Sequence, residues 1–184
     1  QTAKRYLAVF EAAHELVPPE LAPPLSAVDV SMDAAAIPEV EIGHFLSLCD
    51  STGMLQHAVY SVGDRAHGYC VDDNARALLF SCALAHSGNG KMLPDINTAR
   101  IAAFIQHAWN PDTRRFRNFM SYERRWLEET GSEDSHGRTL WALGVTAAAN
   151  SDRLLRRWAT QMFDCTAGRL GQMSSPRAQA FAIL

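Results

Sequence analysis

The chain has 184 residues, enough for one well-buried domain, and the composition is that of an ordinary soluble globule. Its 17 basic and 20 acidic residues give a formal net charge of -3, and no Lys/Arg cluster is dense enough to follow a phosphate backbone. Nucleic acid is therefore not an expected partner. No apolar run reaches the roughly 18 residues that a membrane span requires, and Glu11, His14 and Glu15 interrupt the N-terminal segment where a signal peptide would be apolar. We expect a cytoplasmic protein without a membrane span.

The cysteines argue against a disulfide framework and against a zinc site. None of the four has a CxxC neighbour, and Cys82 stands within an apolar helical run. The pattern predicts buried free thiols at Cys49, Cys70, Cys82 and Cys165. We expect no metal and no cofactor.

The N-terminal part of the chain divides into a helix and a linker. In residues 1–17, apolar side chains recur at spacings of three and four, which predicts an amphipathic helix. Five prolines follow by Pro38, without sustained periodicity, so residues 18–40 read as an extended linker or strap. The folded domain is expected at 41–184. Gln1 is not methionine and the sequence stops in an apolar run, so we expect a piece of a longer chain.

Helical patterns of two kinds alternate after the linker. A short helix is predicted at 41–49, and 54–60 reads as a short strand or irregular. The helices predicted at 73–86, at 138–149 and from Ser175-Pro176 onward are apolar on all sides, which is typical of a buried helix. Those at 94–109 and 152–163 have a polar side. Residues 116–129 are predicted to form a β-hairpin or a long loop. Long loops between packed elements often bind ligands.

This alternation favours an all-α fold built from concentric rows of helices. Each hairpin would send one helix to the centre and the other to the rim, which describes an (α/α) toroid better than a four-helix bundle, whose helices would each show one apolar stripe. About a dozen residues per helix leaves room for roughly half of a six-hairpin ring.

Each all-apolar helix begins with a polar cluster that contains an arginine. We call these segments the three N-terminal clusters. Their sequences are DDNAR (72–76), EDSHGR (133–138) and SSPR (174–177). Alternating hairpins force the central helices to run parallel, so the three clusters are expected at one end of the fold, around a shared pocket.

Carboxylates that face each other across such a pocket indicate glycoside chemistry, with one acid and one base or nucleophile. We assign the acid/base pair to Asp73 and Glu133. His136 would be a substrate hydrogen-bond donor or an epimerase-type base. Tyr122 and Trp126 would stack on sugar rings.

Other interpretations of the clusters remain open. Asp72 or Asp73, and Asp134 or Ser135, could simply cap their helices. Arg76 and Arg138 oppose the helix dipole and need a carboxylate partner, so a structural ring of ion pairs is the main alternative. A metal held by the set Asp72, Asp73, Glu133 and His136 has suitable ligand types but no diagnostic spacing.

Two longer motifs resemble a known family. TGMLQHAVYSVGDRAHGYCVDDNARALL and EDSHGRTLWALG are similar to segments of a bacterial domain fused to the C-terminal side of group 1 glycosyltransferases, itself similar to six-hairpin (α/α) toroid glycosidases and sugar epimerases. The resemblance covers roughly 41–184, and residues 1–17 resemble the last helix of such a transferase. It implies an oligosaccharide as ligand and a preceding glycosyltransferase domain as partner.

Carried over by motif, the resemblance implies a sugar site at the first two clusters. Its residues are Asp72, Asp73, Asn74, Arg76, Glu133, Asp134, His136 and Arg138. With half a ring in this chain, either further residues or a second copy in a homodimer would complete it. Three functions stay open: a hydrolase-like or epimerase-like domain, a glycan-binding module without catalysis, and a structural or dimerisation module.

Overall fold

The computed structural model describes residues 40–89, 93 and 95–184. Residues 41–184 form one compact unit. The helix predicted at 1–17 and nearly all of the linker at 18–40 lie outside the described residues. The unit is mostly helical, and its described strands form three two-stranded antiparallel sheets.

The first part of the unit is a short helix followed by small hairpins. Helix α1 (Gly43–Leu48) precedes β1 (Ala58–Val59) and β2 (Val62–Gly63), which pair with each other. Strand β3 (Tyr69–Cys70) leads directly into the first long helix. The segment that the sequence left open between strand and irregular structure therefore contains isolated bridges at Met54 and Leu55 and a two-residue strand.

Five further helices form two rows. The inner row consists of α2 (Val71–His86), α4 (Glu133–Ala149) and α6 (Pro176–Ile183). The outer row consists of α3 (Asp95–Ala108) and α5 (Arg153–Thr166). Helix α4 packs against α2 on one side and α6 on the other, while α3 packs on α2 and α5 packs on α4. The outer helices meet where Trp158 Nε1 donates to Gln106 Oε1 at 2.7 Å.

The inner helices are parallel, as the sequence predicts. At their N-terminal ends, Asp72 of α2 pairs with Arg138 of α4. At their C-terminal ends, Cys82 of α2 contacts Thr146 of α4 at 3.5 Å, and the Asn150 side chain reaches the Cys82 sulfur at 3.7 Å. Two helices that touch start to start and end to end must run in the same direction.

Helix α6 begins where the sequence predicts but is less buried than expected. Ser175 caps it by accepting from the Ala178 N–H, and Pro176 occupies the first turn. Ala178 is its one buried residue, whereas Ile183 is 85% exposed. Within the described residues α6 has an inner-row neighbour on one side, α4, which leaves much of its apolar surface in solvent.

The segment between α3 and α4 forms two-stranded pairs, but they differ from the hairpin predicted at 116–129, in which Met120 and Trp126 form an isolated antiparallel bridge. Strands β4 (Trp109–Asn110) and β5 (Arg115–Phe116) pair with each other, and β6 (Phe119–Met120) pairs with β3. A 3₁₀ helix (Ala167–Gln172) connects α5 to α6.

The core lies between the two rows and extends to these strands. Its fully buried members include Leu78 of α2, Ile105 of α3, Leu143 of α4 and Phe116 of β5. All four cysteines are free thiols, and Cys70 and Cys82 are buried. The expectation that all four are buried is wrong for Cys165, which is exposed because it lies on the solvent side of α5.

Candidate functional site

The N-terminal clusters of α2 and α4 are joined by ion pairs that centre on Asp72. Its two carboxylate oxygens accept from different arginines, Arg138 Nε at 2.5 Å and Arg76 Nη2 at 2.7 Å. Arg76 also donates to Asp73 at 2.8 Å. The order Asp73, Arg76, Asp72, Arg138 is therefore one continuous chain of charges across two helices.

The clusters of α4 and α6 are joined in the same way. Arg177 donates through two nitrogens to Asp134, and Ser175 Oγ donates to the same carboxylate at 2.9 Å. Glu133 accepts from the backbone N–H groups of Ser174 at 2.9 Å and Ser175 at 2.6 Å. A carboxylate from α4 thus satisfies two amides that precede α6, which are groups that the helix itself leaves unpaired.

These contacts settle which carboxylate meets which arginine. The sequence indicated that Arg138 needs a carboxylate partner, and that partner is Asp72 of the neighbouring helix. Asp134 binds Arg177, one helix further along. The partners lie in different helices because parallel inner helices bring their first turns side by side, a relation that spacing along the chain does not contain.

Helix capping explains less than the sequence allowed. Neither Asp72 nor Asp73 is the N-cap of α2, since that position is Cys70, which makes no side-chain capping bond. Helix α4 is capped by Ser132, whose oxygen accepts from the Ser135 N–H at 3.1 Å. None of the cluster carboxylates therefore caps its own helix.

The carboxylates proposed as an acid/base pair have opposite pKa shifts. Burial raises the pKa of Asp73 above its ordinary value, and the nearby Arg76 opposes that shift only in part. The backbone N–H of Ser175 holds the pKa of Glu133 below its usual range. The Arg177 guanidinium likewise lowers the pKa of Asp134. Asp73 is thus the carboxyl of the three that is most easily protonated relative to its ordinary value.

Asn74 lies in the first cluster but faces the protein interior. Its side-chain N–H groups donate to the carbonyls of Met54 at 3.0 Å and Cys70 at 2.9 Å, and its Oδ1 accepts from the Met54 N–H at 2.9 Å. The residue is fully buried. Both donors are used, so this amide fixes the loop before β1 to the start of α2 and has no N–H left for a ligand.

His136 is also fully buried. Its ring packs against those of Phe116 and Trp109, at centroid distances of 5.3 and 6.2 Å. Burial, assisted by the positive charge of Arg115, lowers the pKa of His136 to about 4, while the backbone at Thr166 opposes the shift. The ring is neutral at pH 7 and has no surface from which to contact a substrate in this arrangement.

The two aromatic residues proposed as sugar platforms occupy different positions. The Trp126 ring packs on Phe104 and His107 at 5.6 and 5.3 Å, beneath the Arg117 guanidinium, and lies partly buried against the core. Tyr122 is exposed and stacks on Tyr69 at 6.3 Å, with Arg65 over its ring. Of the two, Tyr122 has a ring accessible to a ligand.

Sequence reasoning missed Asn118, which connects the first turns of α2 and α4. Asn118 follows β5, and its Oδ1 accepts from the Asp72 N–H at 3.3 Å and from Ser135 Oγ at 2.8 Å. Its own backbone N–H donates to Glu128 at 2.6 Å. The partners of Asn118 are distant in sequence, so no local motif identifies it.

The best-defined cavities of the described residues lie away from the three clusters. One, of about 560 Å³, is at the opposite end of the inner row, between Ser81 of α2, Asn150 after α4 and Asp152 before α5. The other, of about 680 Å³, is a shallow groove beside the β1–β2 hairpin. The clusters line neither of them.

The arrangement of the described residues also bears on metal binding and on membrane insertion. Within residues 40–89, 93 and 95–184, no group of three or more His, Cys, Asp or Glu side chains is arranged to hold a metal ion. In the same part of the chain, no helix combines the length and the apolar character needed to cross a membrane.

Comparison with known proteins adds no family. A scan against protein-family models, a search of curated proteins and a search of solved structures each find no match.

Proposed function

We propose that residues 41–184 form a carbohydrate-binding domain that accompanies a glycosyltransferase in the bacterial cytoplasm, and that it holds an oligosaccharide at the common end of α2, α4 and α6 without cleaving it. In this proposal the inner and outer rows are part of an (α/α) toroid. The ligand would contact the exposed arginines of the first and third N-terminal clusters, Arg76 and Arg177.

One observation carries the choice of binding over catalysis. The carboxylates of the clusters already accept hydrogen bonds from arginines or from backbone N–H groups, so they are held as a fixed charge network. A glycosidase needs one carboxyl that carries a proton and one that is free to activate water or attack the sugar. Glu133 meets neither requirement, because its oxygens hold the start of α6.

The same network leaves donors available for a ligand. The side chain of Arg76 is 51% exposed and that of Arg177 is 71% exposed, although each is paired with a less exposed aspartate. Guanidinium groups have five N–H donors in a rigid plane, and these two use part of that capacity internally. Fixed, solvent-facing donors suit a ligand rich in hydroxyl oxygens. The family resemblance of the two sequence motifs supports sugar as that ligand.

A second candidate function is acid/base catalysis centred on Asp73. The raised pKa of Asp73 and the lowered pKa of Glu133 differ in the direction that separates an acid from a base in known glycosidases. Under this alternative the ligand would displace the Ser174 and Ser175 amides from Glu133, and α6 would shift before turnover.

The test is a binding screen of the 184-residue chain on an array of short neutral hexose, N-acetylhexosamine and uronic-acid oligosaccharides. We expect binding, and we expect Arg76→Gln to weaken it roughly tenfold, as loss of a charge-assisted hydrogen bond should. The matched control is Arg157→Gln, the same change at an exposed position of the outer row.

Turnover separates the two candidates. Prolonged incubation with the strongest binder, followed by chromatography, should show no new sugar. A product that disappears in Asp73→Asn would replace the binding proposal with the catalytic one. If nothing on the array binds, both fail and the charge network is structural.

A further inference from the structure

Helices α4 and α6 present parallel stripes of partly exposed residues that begin at the arginines. The stripe on α4 contains no buried residue. Its members, at spacings of four and three, are Asp134, Arg138, Trp141, Val145 and Ala148. On α6 the corresponding stripe is Arg177, Phe181 and Leu184. Residues three and four apart share one face of a helix. In each stripe an arginine therefore lies about one turn before an aromatic ring, Arg138 before Trp141 on α4 and Arg177 before Phe181 on α6.

The aromatic rings of the two stripes form a pair. The Trp141 and Phe181 rings are stacked with an interplanar angle of 1° and a centroid distance of 6.1 Å. The Arg138 guanidinium lies 4.1 Å from the centre of the Phe181 ring. The same Arg138 is paired with Asp72, so the aromatic pair is connected to the charge network by a shared side chain.

The pair has no role in the described core. Neither ring packs against any of the three buried clusters of the unit, and both are only partly buried. The rings lie instead at the partly exposed surface where α4 and α6 meet, beside fixed charges.

We propose that Trp141 and Phe181 form the ring-stacking part of the glycan site, beside the exposed guanidinium of Arg177, with Arg138, whose side chain is 14% exposed, packed on the Phe181 ring. The occupant is a pyranose ring, because such a ring has a face of C–H groups and an edge of hydroxyls. The surface has the matching order, with each arginine about one turn N-terminal to an aromatic ring. A purely apolar partner would leave the charged row unmatched.

This inference rests on the proposed function and deepens it, so the test must separate the two. The 184-residue chain is titrated with the strongest binder from the oligosaccharide array, and binding is followed by calorimetry. Trp141→Leu and Phe181→Leu each remove a flat ring while keeping apolar bulk. The matched control is Tyr60→Leu, which removes an exposed aromatic ring from the β1–β2 turn.

We expect both ring variants to weaken binding about tenfold and the control to leave it unchanged. The two variants act independently, so misfolding of one, seen as a lost thermal transition, leaves the other as the test. Normal binding by folded ring variants overturns this inference and leaves the proposed function standing. Ring variants that change the sedimentation of the chain but not glycan binding overturn it as well, and assign the face to contact between copies. Failure of the unaltered chain to bind any sugar overturns the proposed function itself.

Discussion

His136 shows how a polar residue in a motif can serve folding. It follows two carboxylates and precedes an arginine by two positions, which makes it a candidate for catalysis by sequence. The helical repeat instead turns it inward, where Phe116 and Trp109 cover it. A buried histidine without a charged partner stays neutral, because its protonated form would lose hydration.

This burial predicts a pH dependence of stability. In the unfolded chain His136 takes up a proton near its ordinary pKa of 6.5, whereas in the folded chain its pKa is about 4. As pH falls from about 6.5 to about 4, protons bind the unfolded state preferentially, so the free energy of unfolding decreases, by up to about 3 kcal/mol. Below that window the contribution is constant.

Urea unfolding at pH 7 and pH 4.5 measures the effect. His136→Gln is neutral at both values, so the variant should lose less stability on acidification than the unaltered chain. Equal losses in the two proteins would show that His136 does not carry this dependence.

Asn74 gives a second prediction at the same scale. In Asn74→Ala the partly buried N–H and C=O of Met54 and the buried Cys70 carbonyl lose their side-chain partner, and a buried group left unpaired costs about 1–3 kcal/mol. We expect the free energy of unfolding to decrease by about 3 kcal/mol in urea titration. Asn89→Ala, on the connection after α2, should change it little. If Asn74 instead contacts sugar from the surface, Asn74→Ala will weaken binding with near-normal stability.

Residue types in the clusters were predictable, but their roles were not. The sequence identifies arginines that need carboxylates, and Arg76 does pair with Asp72 and Asp73 of its own helix. It does not reveal that Asn74 and His136 turn inward, because that depends on which side of each helix meets β-strands and the outer row. Asn118 has partners up to 48 residues away and carries no local signal.

At the scale of elements, the docking of α6 on α4 depends on close backbone approach. A Cβ atom added to Gly137 would lie 2.4 Å from the Ala178 carbonyl oxygen, which is main chain and cannot move aside as a side chain can. Glycine at this position lets the two parallel helices approach.

Gly137→Ala should therefore destabilise the unit, by about 1–3 kcal/mol in thermal or urea unfolding, as overpacking does. Gly144→Ala on the same helix is the control. Its Cβ would meet Phe163 at an ordinary 3.7 Å, and alanine favours helix by about 0.5–1 kcal/mol. We expect the control to be neutral or stabilising. Equal effects of the two substitutions would contradict the close packing of α4 and α6.

Helix positions were the most predictable part of the fold. Helices that are apolar on all sides were assigned to the inner row, and helices with one polar side to the outer row. Ser175-Pro176 marked the start of α6. Exposure of α6 was not predictable, since an apolar helix is buried only where neighbours exist to cover it. The pairing of β6 with β3 was not predictable either, since β3 is distant in sequence.

At the scale of the whole molecule, parallel inner helices give the unit two different ends. One carries the three arginine-containing clusters and the aromatic pair, and the other carries the cavity near Ser81, Asn150 and Asp152. The proposed glycan site belongs to the first end. A ligand that prefers a cavity to a charged surface would select the second.

Mapping the bound sugar on the chain distinguishes the two ends most directly. We would titrate ¹⁵N-labelled 184-residue chain with the strongest array binder and follow the amide resonances. Binding at the proposed glycan site predicts shifts that cluster at 72–76, 133–141 and 174–181. Shifts confined to the residues around Ser81, Asn150 and Asp152 would contradict it, because the sugar would then occupy the opposite end of the inner row.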